Sequence, residues 1–338
     1  IPDFKPEIII LDVKMPRMNG FDLCRELRVR EEYADVPILI QTAADHSEER
    51  FEVFSVGAND VIFKPIEARE LTSRVRLHLQ HRQMQLRQKN YIAQMERELQ
   101  DARDLQLSII PDEEDLAAFR EITGYDCADH YEPSLHLGGD FCGLLPLGEG
   151  RGLVYLADFV GHGVSAAMNT FRLHTLMGDH QLDWMQPEVA ISELNRRMAK
   201  ALSVGKFDTM LLGVFDRSKQ TFSYVATGVP PFFILRANGE IVTCETKGMP
   251  LGISESATYQ RREVAFATGD RFFAYSDALV EAKNRDGLRE FGVAELKASL
   301  KGLRDKQSPR ELLDACLEGF FNDHERPLID DLTVLVVA

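Results

Sequence analysis

Several features are scarce in this 338-residue chain, and each absence narrows the field. No apolar run approaches the length of a membrane helix, and LTVLVVA at 332–338 is among the longest, so no membrane span is expected. No signal peptide is visible, and the chain opens without Met. The five cysteines (Cys24, Cys127, Cys142, Cys244, Cys316) are scattered without a CxxC pair. That spacing predicts reduced thiols in a cytoplasmic protein rather than disulfides or a zinc site. Basic residues are outnumbered, 39 Lys and Arg against 54 Asp and Glu, giving a net charge of −15. Such a chain is a poor binder of nucleic acid through its phosphates. Acidic residues are themselves missing from 71 to 95, where Arg74, Arg76, Arg82, Arg87 and Lys89 lie. This stretch reads either as a solvated helix face or as a docking surface for an acidic partner. What remains is an ordinary globular composition, 44% hydrophobic and 28% charged, long enough for two domains or more.

Residues 1–70 alternate short apolar runs with helical patterns. EIIILDV (7–13), PILIQTA (37–43) and DVIFKP (60–65) read as buried parallel strands; FDLCRELRVR (21–30) and ERFEVFSVG (49–57) read as helices between them. This is a doubly wound α/β pattern, in which reactive groups gather at the carboxyl ends of strands. Asp12, Thr42 and Lys64 all fall at such ends. LDVKMPRMNG, QTAAD and FKP resemble the second half of a response-regulator receiver domain. The resemblance implies that Asp12 is the phosphoacceptor, that Thr42 binds the phosphoryl oxygen and that Lys64 pairs with the acyl phosphate. It also implies a cognate histidine kinase. The family's Mg²⁺-binding acidic pair lies on an earlier strand, and nothing precedes the strand ending at Asp12. As written, the receiver is partial and is expected to phosphorylate poorly. Val61 stands where many receivers carry an aromatic switch residue, with Phe63 expected on the same face.

Residues 71–110 form a predicted helical linker, free of Gly and Pro until Pro111. Leu79, Leu86 and Ala93 recur every seven. Ile92, Met95, Leu99, Ala102, Gln106 and Ile109 step by three and four, a coiled-coil seam in a different register. The pattern predicts a long signalling helix with a discontinuity near 89–93 and a homodimer formed through it. An amphipathic helix packed on its own domain is the alternative.

Residues 111–338 carry the larger domain, expected to be antiparallel α+β. Predicted strands include 150–159, a hairpin over 207–228, 269–277 and 331–338; predicted helices are 164–177 and 187–202. Asp140, Asp158, Asp277 and Asp330–Asp331 lie at or just beyond the ends of apolar runs. Any one of them reads as a turn residue or cap, and His162 as a structural histidine. A convergent cluster, however, stays ionised only beside cations, and hard Mg²⁺ or Mn²⁺ suit oxygen ligands. The string HLGGDFCG (136–143) admits a GGDEF-type cyclase or a metal-binding turn. Cys142 follows GGDF where a cyclase needs Glu, and ADFVGHG belongs to no cyclase.

GGDF, ADFVGHGVSAAM, TGVPPFFIL, KGMPLGI, GDRFFAYSDALVEAKN, FG and DDLTVLVV, in that order, resemble the SpoIIE/RsbU type of metal-dependent serine/threonine phosphatase (PPM). ARDLQLSIIP resembles the helix that leads into such domains. The resemblance implies a four-layer αββα sandwich with two Mn²⁺ or Mg²⁺ ions activating a water for in-line attack, without a phosphoenzyme. It implies Asp158 as the bridging ligand, the Phe159 carbonyl as a further ligand, and Asp140, Asp277 and Asp330 completing the set, with Asp331 outside it. It implies a phosphorylated STAS-type anti-sigma-factor antagonist as substrate in partner switching. Three departures from the family pattern appear: Cys142–Gly143 after GGDF, Val229 for His, and Ala278 for Gly. The competing expectation is an adaptor on a phosphatase fold that has lost activity.

Overall fold

The computed structural model describes residues 4–338 except 44–46, 162, 180, 203–204, 284–290, 307 and 325. His162 therefore lies outside the described residues. Two compact units divide the chain, Ile1–Glu98 and Leu99–Ala338.

In the first unit β1 (Ile9–Asp12), α1 (Gly20–Val29), β2 (Ile38–Thr42), α2 (Ser47–Ser55) and β3 (Asp60–Phe63) alternate. The strands form one parallel sheet in the order β1-β2-β3. Ile38, Leu39 and Ile40 are fully buried, as expected of a strand covered on both faces. Asn19 caps α1 by accepting from the Asp22 amide at 2.8 Å. Gly20 is required there, because a Cβ would run into the Asp12 carbonyl. Val61 is buried and Phe63 half-buried against the same core.

α3 (Ala68–Leu107) follows as one unbroken helix of 40 residues. The discontinuity expected at 89–93 is absent: the hydrophobic register changes there, but backbone hydrogen bonding does not depend on register. Three of the five basic residues of this stretch have partners within the first unit, while Arg76 and Arg87 are exposed. Arg74 donates to both carboxylate oxygens of Asp60, at 3.1 and 2.9 Å. Arg82 donates to the Pro6 and Glu7 carbonyls at 3.0 and 2.6 Å. Lys89 pairs with Asp35.

The second unit runs α4 (Glu113–Thr123), β4 (Cys127–Glu132), β5 (Asp140–Gly148), β6 (Arg151–Phe159), α5 (Val164–Met177), α6 (Pro187–Ala201), β7 (Asp208–Asp216) and β8 (Thr221–Thr227). It continues through β9 (Phe232–Leu235), β10 (Ile241–Cys244), β11 (Arg262–Ala265), β12 (Arg271–Tyr275), α7 (Ala278–Glu281), α8 (Gly292–Gly302), α9 (Pro309–Asp323) and β13 (Leu332–Val337). Two antiparallel five-stranded sheets result, ordered β10-β9-β12-β13-β4 and β11-β8-β7-β6-β5. Strand alternation builds the layers. Leu156, Leu211, Phe222, Phe272 and Leu335 fill the space between the sheets. Phe141, Ala157, Phe159 and Met210 face α5 and α6 on one outer side. Phe233, Phe273, Val334 and Val336 face α7, α8 and α9 on the other. All five cysteines are free and buried.

The end of the linker seam belongs to this second core. Gln106 is buried and Ile109 packs against the α5–α6 side. These two positions are thus taken by intramolecular packing rather than left open as a seam.

Candidate active site

The ladder of β5 with β6 sets Asp140 directly opposite Asp158. Asp140 is buried and accepts from the Thr333 hydroxyl at 2.6 Å. Asp277 stands at the first position before α7, one turn before Glu281, and its side chain makes no capping hydrogen bond. Asp158, Asp277 and Glu281 line a cavity of about 260 Å³, with Thr209 and the apolar wall of Val229, Pro230, Pro231 and Val280. No Lys or Arg lines it among the described residues. Burial first, and then Asp277, Asp330, Asp331 and Glu281, push Asp158 up to about 7. Burial, then Asp330 and Glu281, push Asp277 up to about 6. Burial, then Asp158, raise Asp140 well above the usual carboxylate range. The four aspartates named from sequence are therefore electrostatic neighbours, and each raises the charge cost of the others.

Asp331 differs from its neighbour. Its carboxylate accepts from the Gly139 amide at 2.5 Å, the Ser134 amide at 2.7 Å and the Ser134 hydroxyl at 3.0 Å. It is occupied in holding the Gly138–Gly139 turn, whereas Asp330 is exposed and accepts from the Asp331 amide. A Cβ at Gly139 would come within 2.6 Å of the Phe159 carbonyl, so that glycine allows the turn to close on the end of β6. A Cβ at Gly138 would meet the Tyr131 hydroxyl at 2.5 Å and Asp331 at 2.7 Å.

An all-oxygen donor set of clustered carboxylates beside a backbone carbonyl suits a hard divalent cation in kind. Among the described residues no three such side chains stand close enough to hold one ion together. The fit is thus one of chemistry and charge, with water needed to complete any ligand shell.

Several contributors lay outside the sequence reading. Near the C-terminal end of α3, Gln106 donates to the Gly138 carbonyl at 2.8 Å and to Thr170 at 3.2 Å, and accepts from the Gly138 amide at 3.0 Å. Its signal was available: a polar residue in an apolar seam. Glu281 could have been found four residues after Asp277, one helical turn on. Thr333 and Ser276 carried no signal, because their roles depend on strand pairing. Ser276 bridges the Asp331 carbonyl and the Thr333 amide, each at 2.9 Å.

The three departures find structural reasons. Ala278 begins α7 and is not among the residues of positive φ, so Ala in place of Gly meets no left-handed strain there. At Gly143 a Cβ would collide with the Tyr155 hydroxyl, which fills that space. Val229 is buried in the inter-sheet core.

In the first unit Asp12 and Lys64 form an ion pair at the carboxyl end of the sheet. The Lys64 ammonium, then the Lys14 amide, hold the Asp12 carboxyl below its ordinary range. Thr42 is buried at the end of β2.

The family described as Stage II sporulation protein E (SpoIIE) matches residues 148–338, more than half of the chain. The chain belongs to the SpoIIE family. Residues 1–76 match the response regulator receiver domain, so a receiver is fused here to a SpoIIE/RsbU-type PP2C phosphatase domain. The phosphoserine phosphatase RsbU of Bacillus subtilis is 23% identical over 209 residues, covering 61% of this chain and 60% of RsbU. The DNA-binding dual master transcriptional regulator RpaA of Synechocystis sp. is 38% identical over 72 residues, 21% of this chain and 30% of RpaA. The SpoIIE-family chain thus spans three fifths or less of these curated relatives. Its fold matches the SiaA-PP2C domain of Pseudomonas aeruginosa with a TM-score of 0.62 at 20% identity, over 73% of this chain and 97% of that one. The RsbU and RsbW domains of a Mycobacterium tuberculosis protein match with a TM-score of 0.55 at 26% identity, over 64% of this chain and 60% of that one.

Proposed function

We propose that this chain is a response regulator whose output is a metal-dependent phosphoserine/phosphothreonine protein phosphatase. The observation that carries the reading is the crowding of Asp140, Asp158 and Asp277, with Asp330 as a further negative neighbour, which raises the first three above the ordinary carboxylate range. Asp158, Asp277, Asp330 and the Phe159 carbonyl would hold Mn²⁺ or Mg²⁺, with Asp140 behind Asp158. Bound divalent cations would acidify water and clamp phosphoryl oxygens during in-line hydrolysis. The protein's own part is positional. Thr333 orients Asp140, Asp331 pins the glycine turn, and the Val229–Pro231 wall limits water around the phosphate. RsbU is a phosphoserine phosphatase, and likeness to RsbU and RsbW domains favours a STAS-type phosphoprotein in a partner-switching system. Asp12 would accept phosphate from a histidine kinase, and Lys64 would then pair with the acyl phosphate in place of the free carboxylate. The long helix would carry that change, with Gln106 as its contact to the Gly138 turn, and would join two copies as a homodimer.

The test is hydrolysis of p-nitrophenyl phosphate and of a phosphorylated STAS protein, with and without Mn²⁺. Metal-dependent turnover that Asp158→Asn abolishes supports the reading, and turnover that survives this change sinks it. One observation favours an adaptor instead: no three carboxylates meet at a point among the described residues. Calorimetric titration separates the two, since an adaptor would bind no Mn²⁺ at millimolar concentration.

A further inference from the structure

A second depression, of about 640 Å³, opens on the same unit beside the catalytic end. Arg103 of α3, Glu132 at the end of β4, Leu135, and Arg326 and Leu328 ahead of β13 contribute to its walls. Arg103 is half-buried, and no hydrogen bond or ion pair joins it to a described residue. A guanidinium partly withdrawn from water without a partner is costly to keep. Arg326 is not in that position. It donates to both Glu132 oxygens at 2.6 and 2.8 Å and lies 3.8 Å over the Phe321 ring. Among the described residues the one carboxylate lining the groove is therefore spent on Arg326, and Arg103 remains as surplus positive charge in a chain of net charge −15. His130 also turns its Nε2 toward Glu132, at 3.4 Å.

The groove adjoins the cleft through both of the loops that build it. Leu328 lies two residues before Asp330, a span of at most about 7 Å of extended chain. Leu135 lies three residues before Gly138. The shoulders between them are apolar and open, Leu135 being 50% and Ile329 85% exposed.

We propose that this groove is a docking subsite for the protein substrate, in which Arg103 receives an Asp or Glu side chain a few residues from the phosphorylated serine. The idea rests on the phosphatase reading for the word substrate. A planar guanidinium pairs with a carboxylate through two parallel hydrogen bonds, so the site selects acidic side chains by geometry as well as charge. Leu135 and Ile329 supply apolar contact to the segment running from groove to cleft.

The experiment uses the full chain and two fluorescein-labelled phosphoserine peptides. One carries Glu, the other Lys, at positions two to four residues from the phosphoserine on each side. Binding is read by fluorescence polarisation. Hydrolysis is read as kcat/KM divided by each variant's own turnover of p-nitrophenyl phosphate. The wild type is expected to favour the Glu peptide about tenfold. Arg103→Lys should keep part of that preference, Arg103→Ala lose it, and Arg103→Glu turn it toward the Lys peptide. A preference for Glu that persists in Arg103→Glu, or none in the wild type, overturns the proposal. If p-nitrophenyl phosphate is hydrolysed while peptide preference ignores Arg103, the docking site alone has failed. If nothing is hydrolysed while binding still follows the charge at 103, the phosphatase reading has failed and the docking site stands.

Discussion

At the scale of single residues, the site is governed by carboxylates that the fold crowds together. Their raised pKa values have a consequence for stability. Asp158 at about 7 and Asp277 at about 6 hold protons in the folded state that an unfolded chain would release near the ordinary carboxylate range. Stability from these groups is therefore full below that range and is lost as pH climbs through 6 and 7. In chelator-treated protein, thermal unfolding followed by circular dichroism should shift to lower temperature over this interval. Asp158→Asn and Asp277→Asn should flatten that dependence, and Mn²⁺ should remove it. Thr333 supports Asp140 from behind, so Thr333→Val should weaken Mn²⁺ binding by about 10- to 100-fold, measured by calorimetry, while the fold persists. Asp140, Asp158, Asp277 and Asp330 were legible in the sequence through the ordered motifs that resemble the phosphatase family, since each alone reads as a turn residue or cap. Thr333, Ser276 and Glu281 were not singled out, since a hydroxyl or an exposed Glu becomes informative only when its neighbour across the sheet or helix turn is known.

At the scale of elements, the glycine turn before β5 is held from three sides. Asp331 takes the Gly139 amide, Gln106 takes both backbone groups of Gly138, and Tyr131 closes the space above it. Gly138→Ala would press a methyl onto the Tyr131 hydroxyl and Asp331. Displacement of this turn by about 1 Å is expected to reduce turnover about 100-fold. The double variant with Tyr131→Phe should recover part of the loss in the same assay, because one of the two collisions is relieved. Gln106→Leu would leave the buried amide and carbonyl of Gly138 without partners, a cost of about 1–3 kcal/mol that urea unfolding should register. Periodicity identified the linker as a long helix, but the break it predicted is absent. Two apolar registers along one helix can serve two different neighbours: Ile109 enters the phosphatase core, while Arg74, Arg82 and Lys89 fasten an earlier stretch to the receiver unit.

For the whole molecule, the proposed logic joins a receiver input to a phosphatase output. Leu77, Met84 and Tyr91 recur every seven residues on α3 and are 63%, 67% and 65% exposed. If the helix pairs with a second copy, the full chain should sediment as a dimer. Replacing these three residues with Asp should then give a monomer with its circular dichroism unchanged. A chain starting at residue 99 should hydrolyse p-nitrophenyl phosphate at a rate different from that of the full chain. Equal rates would mean that the receiver unit does not control the site.

The amino-acid order alone was sufficient for the alternation of strands and helices, the two kinds of sheet, and the carboxylates and receiver residues on which function is proposed. Those features are written in periods of two and 3.6 and in motifs a few residues long, which are local properties of the chain. Tertiary structure decided which aspartate of the Asp330–Asp331 pair is tied up in hydrogen bonds, why Gly143 and Ala278 are tolerated, and where the basic helix finds its partners. It also decided that Arg103 is left without a hydrogen-bond or ion-pair partner among the described residues. Each of these is a meeting of residues far apart in sequence, set by strand register and packing, and no local pattern encodes it.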